Sequence, residues 1–263
     1  MMNKKHYFLR IYHKLKLNLL FKNLMDMNSV AVQLSDVVYY TTGNLILDSK
    51  LITNVCSECK LLSTIIADHS SGIIVSLGVL LFIGFSGTDD YRDFIDNLKI
   101  IPTKFKSIYS DKFLCNVHTG FYEEYSSIKY KILNILWTLL TRNNKFTSLI
   151  FFGHSSGAVS ASMLNLDLSY IPQIQVSNPY LLTFGMPRWI TCDPSKERSW
   201  SNFIRFIYNG DPVTAIPHGY KYTHFGNAIY ITNKCILTNN SITSINFFNH
   251  RLNNYKKCLS EAR

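Results

Sequence analysis

The sequence predicts an α/β fold in which one mostly parallel central sheet is covered by helices on both faces. Short apolar runs typical of buried strands alternate with longer segments whose apolar residues recur every three or four positions, as they do in helices. Turn sequences such as Asn209-Gly210-Asp211-Pro212 separate the later runs. With 263 residues, of which 47% are hydrophobic and 17% charged, the chain can bury the core of such a fold.

The first predicted elements are a helix and two strands. The helix spans Met27–Tyr40, with Ser29 as a candidate N-cap. Its apolar residues at three- and four-residue spacings are Val30, Leu34, Val37 and Val38. Apolar strands are predicted at 72–77 and 79–85, and the segment 90–98 has a helical pattern.

The second half of the chain begins with the strongest helical pattern, at 120–140. A short apolar strand at 148–152 then runs directly into a glycine, and a helix rich in small residues follows at 156–166. Further strands are predicted at 180–184, 203–208 and 228–232. Because strands alternate with helices, the sheet should be mostly parallel.

The net charge of +10 is concentrated at the beginning of the chain. Six lysines and arginines lie within residues 1–24, with no Asp or Glu among them. We expect a basic extension at 1–24 and a single domain at 25–263. The extension could be solvated, contact an anionic membrane surface or act as an organelle-type leader. No recognition helix or aromatic sheet motif accompanies the charge, so nucleic acid is not an expected partner.

The hydropathy pattern predicts neither a transmembrane helix nor a cleavable signal peptide. No run reaches about 18 apolar residues, and lysines interrupt the apolar residues of the basic extension. The destination is therefore not predicted, and both secretion and a peripheral membrane location stay open. The oligomeric state cannot be predicted from these patterns.

Six cysteines include one Cys-x-x-Cys pair, Cys56 and Cys59. This pair could form a local disulfide in an exported protein, or stay as two thiols in the cytosol. A zinc site would need a second such pair or a pair of histidines, and neither follows. We therefore expect no metal and no cofactor.

The residues 153–157 read Gly-His-Ser-Ser-Gly, which is a G-x-S-x-G sequence between a predicted strand and a predicted helix. This context is typical of a nucleophile elbow, in which a tight turn exposes a serine at the end of a sheet. The central residue, Ser155, is therefore the candidate nucleophile. A serine hydroxyl needs a base to accept its proton, usually a histidine oriented by a carboxylate.

The candidate acid and base follow from chain order, which is serine, acid, histidine in α/β-hydrolases. Asp211 comes directly after the strand 203–208, at the carboxyl edge where sites in parallel sheets collect. Asp193 is the second choice for the acid. Among the later histidines, His250 follows the last strand and is favoured as base over His218 and His224.

These residues resemble the class 3 lipases, a branch of the α/β-hydrolases. The likeness covers most of residues 30–258. The Gly-His-Ser-Ser-Gly sequence resembles the family's G-H-S-L-G, and Phe184–Arg188 resembles its F-G-x-P-R. Other similar segments, in family order, lie at 34–39, 56–59, 85–88, 93–98, 117–122, 210–217 and 250–255.

The resemblance implies a catalytic triad of Ser155, Asp211 and His250. It also implies an oxyanion hole formed by the backbone amides of Ser156 and Thr88, and the Thr88 hydroxyl could supply a third donor. By the same resemblance, His118 belongs to a structural signature and His224 is a structural or rim residue.

Three positions depart from the family's pattern. Ser86 stands where the family usually has arginine, Ser156 where it has leucine, and Ala158 where it has a second glycine. Loss of the arginine removes an anchoring charge beside the oxyanion strand. The change at Ser156 leaves the backbone amide in place, so we expect activity to survive it.

The resemblance implies a serine carboxylic-ester hydrolase acting on lipid esters, of the triacylglycerol lipase type, through an acyl-enzyme. The family's lid follows the oxyanion strand, and here the candidate lid is short: Asp89, Asp90, Tyr91 and Arg92. A short lid predicts weak or absent interfacial activation. Two alternatives are a phospholipase A1-type activity, suggested by the basic extension, and a catalytically silent scaffold that binds lipid or protein.

Overall fold

The computed structural model describes residues 27–68, 70–88, 101–107, 113–142, 146–171, 179–192, 202–218, 221–239 and 246–261. Its helices are α1 (27–39), α2 (Leu45–Val55), α3 (Thr119–Arg142), α4 (Ser156–Leu168) and α5 (Leu252–Glu261). Its strands are β1 (Lys60–Ala67), β2 (Ser70–Leu77), β3 (Leu80–Phe85), β4 (Pro102–Lys106), β5 (Phe113–His118), β6 (Ser148–His154), β7 (Tyr180–Phe184), β8 (Phe203–Tyr208), β9 (Asn227–Ile231) and β10 (Leu237–Thr238). Short 3-10 helices lie at Pro212–Ala215 and Phe247–His250. The predicted extension 1–24 and the helical pattern at 90–98 fall outside the described residues.

Eight strands form the central sheet, in the order β1-β2-β3-β6-β7-β8-β9-β10. The five strands β3, β6, β7, β8 and β9 are mutually parallel, and antiparallel pairs close both edges. The predicted α/β class with a mostly parallel sheet is confirmed. β4 and β5 form a separate antiparallel pair. Because the carboxyl ends of parallel strands meet at one edge, the turns after β6, β7 and β8 come together there.

Side chains alternate between two cores, one on each face of the sheet. In β6, Phe151 packs into the core covered by α3 and α4, whereas Ile150 and Phe152 pack into the core covered by α1 and α5. This alternation follows from the two-residue period of a strand. Since both faces are buried, the strands read as continuous apolar runs, which is why the sequence predicted them well.

The predicted helix at 27–40, the long helix, and the strand and helix on either side of the nucleophile elbow are confirmed to within two or three residues. Sequence patterns did not predict α2, β1, the β4–β5 pair or α5. The strand β4 carries a single buried apolar residue, Phe105, and α5 carries mainly polar residues. Such elements are held by their packing against the sheet rather than by a strong pattern of their own.

The structure contains two disulfides, but not the one between Cys56 and Cys59 that the sequence left open. Cys56 and Cys59 are free thiols, so the disulfide between them is not formed. Burial and a hydrogen bond with the Cys56 thiol raise the pKa of Cys59 to about 12, which keeps it protonated. Disulfides instead join Cys115 to Cys192 and Cys235 to Cys258, with Cα–Cα distances of 5.9 and 4.7 Å. These partners lie 77 and 23 residues apart, so spacing alone did not reveal them.

Candidate active site

The serine of the G-x-S-x-G sequence sits on a sharp turn between β6 and α4. Ser155 has φ 55° and ψ −130°, a conformation that side-chain-bearing residues rarely adopt. The turn brings Gly153 and Gly157 together so closely that a Cβ on Gly153 would lie 2.5 Å from the Gly157 carbonyl carbon. The Ser155 amide donates to the Phe184 carbonyl at 3.0 Å, which ties the turn to the neighbouring strand. These contacts hold the Ser155 hydroxyl at the carboxyl edge of the sheet.

Ser155, His250 and Asp211 form one continuous hydrogen-bonded chain. The His250 Nε2 lies 2.9 Å from the Ser155 Oγ. The His250 Nδ1 lies 3.1 and 2.9 Å from the two carboxylate oxygens of Asp211. Since an ionised carboxylate only accepts hydrogen bonds, Nδ1 carries the proton and Nε2 is left to accept from the serine hydroxyl. The structure therefore brings together the three residues that chain order predicted.

Further hydrogen bonds orient the carboxylate of Asp211. It lies in the turn after β8 and caps the first 3-10 helix, where its Oδ1 accepts from the Val213 amide at 2.9 Å. Its Oδ2 accepts from the Tyr255 hydroxyl. Burial, and then the charge of Asp211, raise the pKa of Tyr255 well above its usual value, so the tyrosine stays a donor. The Tyr255 oxygen also accepts from the Tyr208 amide at 3.0 Å.

His154 packs against the ring of His250, a contact that the sequence did not reveal. Its ring stacks on that of His250, with centroids 4.6 Å apart and planes inclined by 27°. Its Nε2 lies 2.8 Å from the His250 carbonyl oxygen, and its Nδ1 lies 2.9 Å from the Tyr39 hydroxyl. A carbonyl oxygen only accepts, so Nε2 carries the proton and Nδ1 accepts from the tyrosine. Burial, then the neighbouring His250, lower the pKa of His154 well below its usual value, so this ring is neutral.

Thr88 and Ser156, the predicted oxyanion residues, lie in direct contact. The Ser156 amide is in the first turn of α4, where amides have no partner within the helix. The Thr88 amide, however, donates to the Ser156 Oγ at 3.1 Å, and the Thr88 Oγ1 lies 3.2 Å from the same oxygen. The Ser156 Oγ also lies 3.0 Å from the Oε1 of a buried carboxyl, that of Glu124 on α3. Glu124 had no signal in the sequence.

Ser86 takes part in a network of hydroxyl hydrogen bonds. Its Oγ accepts from the Ser71 amide at 3.1 Å and lies 3.0 Å from the Ser71 Oγ. The Ser71 hydroxyl in turn donates to the Val38 carbonyl of α1 at 3.1 Å. The strand that leads to Thr88 is therefore tied to β2 and to α1 without an arginine.

The other candidate histidines lie apart from the triad. His118 is fully buried against Phe121 and Tyr222, and burial lowers its pKa to about 4. His224 donates from Nε2 to the Thr214 carbonyl at 2.7 Å, and burial, followed by the charge of Arg205, lowers its pKa to about 3. His218 is exposed. The second-choice acid, Asp193, lies outside the described residues.

Two cavities flank Thr88. One, of about 630 Å³, is lined by His250, His154, Tyr39, Tyr40 and Arg251 among others. The second, of about 570 Å³, also borders Thr88 and is lined largely by hydroxyl and carboxyl side chains. The lid candidate Asp89, Asp90, Tyr91 and Arg92 lies outside the described residues, so the short lid stays a prediction.

Among the described residues, no group of three or more His, Cys, Asp or Glu side chains could hold a metal ion. Within the same part of the chain, none of the helices has the length and apolar character needed to cross a membrane.

Comparisons with known proteins agree with this geometry. The family model described as lipase (class 3) matches residues 82–221, which is more than half of the chain. The chain belongs to the class 3 lipase family. As a class 3 lipase it is a hydrolase of lipid esters that works through a Ser–His–Asp triad. A comparison with curated proteins finds no match.

Solved structures of fungal lipases share the fold of this class 3 lipase. Lipase II from Rhizopus niveus is 18% identical, with a TM-score of 0.66 over 80% of this chain and 81% of that one. The Rhizomucor miehei triacylglyceride lipase is 17% identical, with a TM-score of 0.68 over 87% and 92%. Lip2 lipase from Yarrowia lipolytica is 18% identical, with a TM-score of 0.62 over 78% of each chain. The α/β-hydrolase fold is thereby confirmed.

Proposed function

We propose that this class 3 lipase cleaves lipid esters with Ser155 as nucleophile, His250 as general base and acid, and Asp211 as the orienting carboxylate. The observation that carries the proposal is the unbroken chain of hydrogen bonds from the Ser155 Oγ, at 2.9 Å from His250 Nε2, to the Asp211 carboxylate. A catalytically silent scaffold does not need a serine in a rare backbone conformation. Nor does it need a histidine whose unprotonated nitrogen faces that serine.

The chemistry follows from these positions. The Ser155 oxygen attacks the ester carbonyl carbon while its proton passes to His250 Nε2, and Asp211 stabilises the imidazolium that forms. The carbonyl oxygen becomes an oxyanion, for which the Ser156 amide and Thr88 are the proposed donors. The Thr88 amide already donates to the Ser156 Oγ, so the Thr88 hydroxyl, the third predicted donor, is the group that can turn toward the oxyanion. When the tetrahedral intermediate collapses, the leaving alcohol takes the proton from Nε2 and the acyl group stays on Ser155. Water, activated by the same histidine, then releases the fatty acid.

His154 supports this cycle by its neutrality. During the reaction the ring of His250 becomes positively charged, and a charged neighbour stacked on it would oppose that change. Because His154 stays neutral and holds the His250 carbonyl at 2.8 Å, it fixes the position of the base without a charge of its own.

Hydrolysis of p-nitrophenyl esters of graded chain length, with wild type beside Ser155→Ala, tests the proposal. We expect the variant to lose activity by about 10⁴-fold or more, because the nucleophile is absent. A phosphatidylcholine release assay run in parallel would separate a triacylglycerol lipase from a phospholipase A1. Equal rates from wild type and a folded Ser155→Ala would contradict the serine mechanism, and a wild type inactive on every ester would favour the silent scaffold.

We also propose that the basic segment at 1–24 contacts an anionic membrane surface and so brings the enzyme to its substrate. The six positive charges without an acidic neighbour support this contact. Sedimentation with anionic and neutral vesicles tests it: binding should require the anionic lipid and weaken as salt rises. Binding that salt leaves unchanged would contradict it.

A further inference from the structure

The Ser156 hydroxyl is shared by three groups of the oxyanion region. It lies 3.0 Å from the Glu124 Oε1, 3.1 Å from the Thr88 amide nitrogen and 3.2 Å from the Thr88 Oγ1. Glu124 is only 7% exposed and Ser156 is fully buried. The Ser156 hydroxyl is a departure from the family pattern, which usually has leucine at this position. A buried acid is thereby connected, through one hydroxyl, to the threonine proposed as an oxyanion donor.

A hydroxyl can donate one hydrogen bond and accept two, so the protonation of Glu124 decides how this contact is arranged. An ionised carboxylate only accepts, and it therefore takes the Ser156 proton. The lone pairs of the Ser156 oxygen are then free to receive both donors of Thr88, its amide and its hydroxyl. In this arrangement both donors point toward Ser156, so neither faces a substrate oxyanion.

When Glu124 is protonated, the direction of these hydrogen bonds can be reversed. The Glu124 carboxyl then donates to the Ser156 oxygen, and the Ser156 hydroxyl donates to Thr88 Oγ1. The Thr88 hydroxyl is left with its own proton to donate to the oxyanion.

We propose that Glu124 is a positioning residue of the oxyanion hole, and that its protonation sets the direction of the hydrogen-bond chain Glu124–Ser156–Thr88. The proposal rests on the proposed function, because it assigns the oxyanion to Thr88. The acid touches no substrate atom and acts only through the two hydroxyls. The protonated acid is the active form.

The surroundings of Glu124 favour the neutral acid. Burial raises the pKa of Glu124 to about 8, although the hydrogen bond from Ser156 opposes that rise. The titratable side chains on the adjoining cavity are Tyr39 from α1, Asp68 at the β1–β2 turn and Glu123 on α3. On the same helix, the Lys131 ammonium is bound to the Ile66 carbonyl at 3.1 Å. Activity should therefore be high at neutral pH and fall as the pH rises through about 8.

The test is the pH profile of kcat for a soluble p-nitrophenyl ester between pH 6 and 9.5, with uncatalysed hydrolysis subtracted. If the rate follows the protonated fraction of an acid with the pKa given above, wild type should be about thirtyfold slower at pH 9.5 than at pH 6.5. Glu124→Gln has the same shape, can donate from its amide and cannot ionise, so its profile should stay within about twofold over this range. KM should change little, because the oxyanion exists only in the transition state.

Two further variants sharpen the test. Glu123→Gln removes the neighbouring exposed carboxyl of the same helix and should keep the wild-type alkaline decline. Ser156→Ala breaks the chain while Glu124 can still ionise, and its profile should lose the decline whatever its rate at pH 6.5. Circular dichroism at each pH confirms that the variants are folded, and Ser156→Ala remains informative if Glu124→Gln does not fold.

The outcomes separate a failure of the Glu124 inference from a failure of the proposed serine mechanism. A decline that persists in Glu124→Gln overturns the role of Glu124, and one that persists in Ser156→Ala overturns the hydrogen-bond chain. In both cases the serine mechanism stands, provided that Ser155→Ala is inactive. Equal rates from wild type and Ser155→Ala would overturn the proposed function and this inference together.

Discussion

The two sides of the active site are built differently. On the acid–base side, the Asp211 oxygens and both His250 nitrogens have defined partners, and the tautomer of each ring follows from them. On the oxyanion side, one hydroxyl, that of Ser156, is shared by Thr88 and a buried acid. The first arrangement has one consistent pattern of donors and acceptors, whereas the second has two. In the proposed chain, the serine that stands where the family usually has leucine makes the oxyanion side depend on the proton of Glu124.

The largest effect should come from the acid–base side. Asp211→Asn would place an amide beside the His250 Nδ1 and favour the wrong tautomer of the ring, so kcat should fall by about 10⁴-fold. Asp193→Asn, which alters the second acid considered from chain order, is the control and should keep the wild-type kcat. An active Asp211→Asn enzyme with an inactive Asp193→Asn enzyme would reverse the assignment.

A smaller loss of kcat is expected from a change at His154, which packs against His250. His154→Phe keeps an aromatic ring against His250 but removes the hydrogen bonds to the His250 carbonyl and to Tyr39. Misplacement of a catalytic group by about 1 Å can cost about 10²-fold, and we expect a kcat loss of roughly ten- to a hundredfold. Tyr39→Phe breaks only the outer of the two bonds and should lose less. If His154→Phe retained full kcat, the acid–base side would not depend on this support.

The smallest effect concerns stability on the oxyanion side. Because the folded state raises the pKa of Glu124 from its ordinary 4.5 to about 8, the folded protein holds a proton that the unfolded chain releases between these values. The carboxyl's contribution to stability is thus complete below about pH 4.5 and is lost as the pH rises through 8. Urea unfolding at pH 5 and pH 8.5 should show that wild type loses more stability than Glu124→Gln. Equal losses in the two proteins would mean that Glu124 is not protonated in the folded state.

Sequence reasoning predicted the catalytic side better than its surroundings, and the reason is physical. Ser155 and Asp211 follow strands whose apolar runs are strong, so chain order alone placed them at one edge of the sheet. The contact between Tyr39 and His154 joins residues 115 positions apart, and that between Glu124 and Ser156 joins residues 32 apart. Such pairs depend on how helices dock on the sheet, which periodicity within each helix does not specify.

The same limit applies to elements with a weak apolar pattern. The helix α5 supplies Tyr255, which orients Asp211, yet its sequence is mostly polar and resembled a loop. Its four buried residues recur at helical spacing, but they are too few among polar neighbours to make a strong apolar pattern. They are Leu252, Tyr255, Cys258 and Leu259. The family resemblance marked this segment through His250 and Tyr255, but the residues alone did not show what Tyr255 does.

The disulfide between Cys235 and Cys258 encloses His250 in a covalent ring. The ring begins between β9 and β10, includes β10 and closes in the second turn of α5, with a sequence separation of 23 residues between its cysteines. Loop-closure entropy for a ring of this size corresponds to about 3 kcal/mol removed from the unfolded ensemble. The segment that presents the base is therefore tethered at both ends, so fraying of the chain terminus beyond Cys258 does not release the histidine from the sheet.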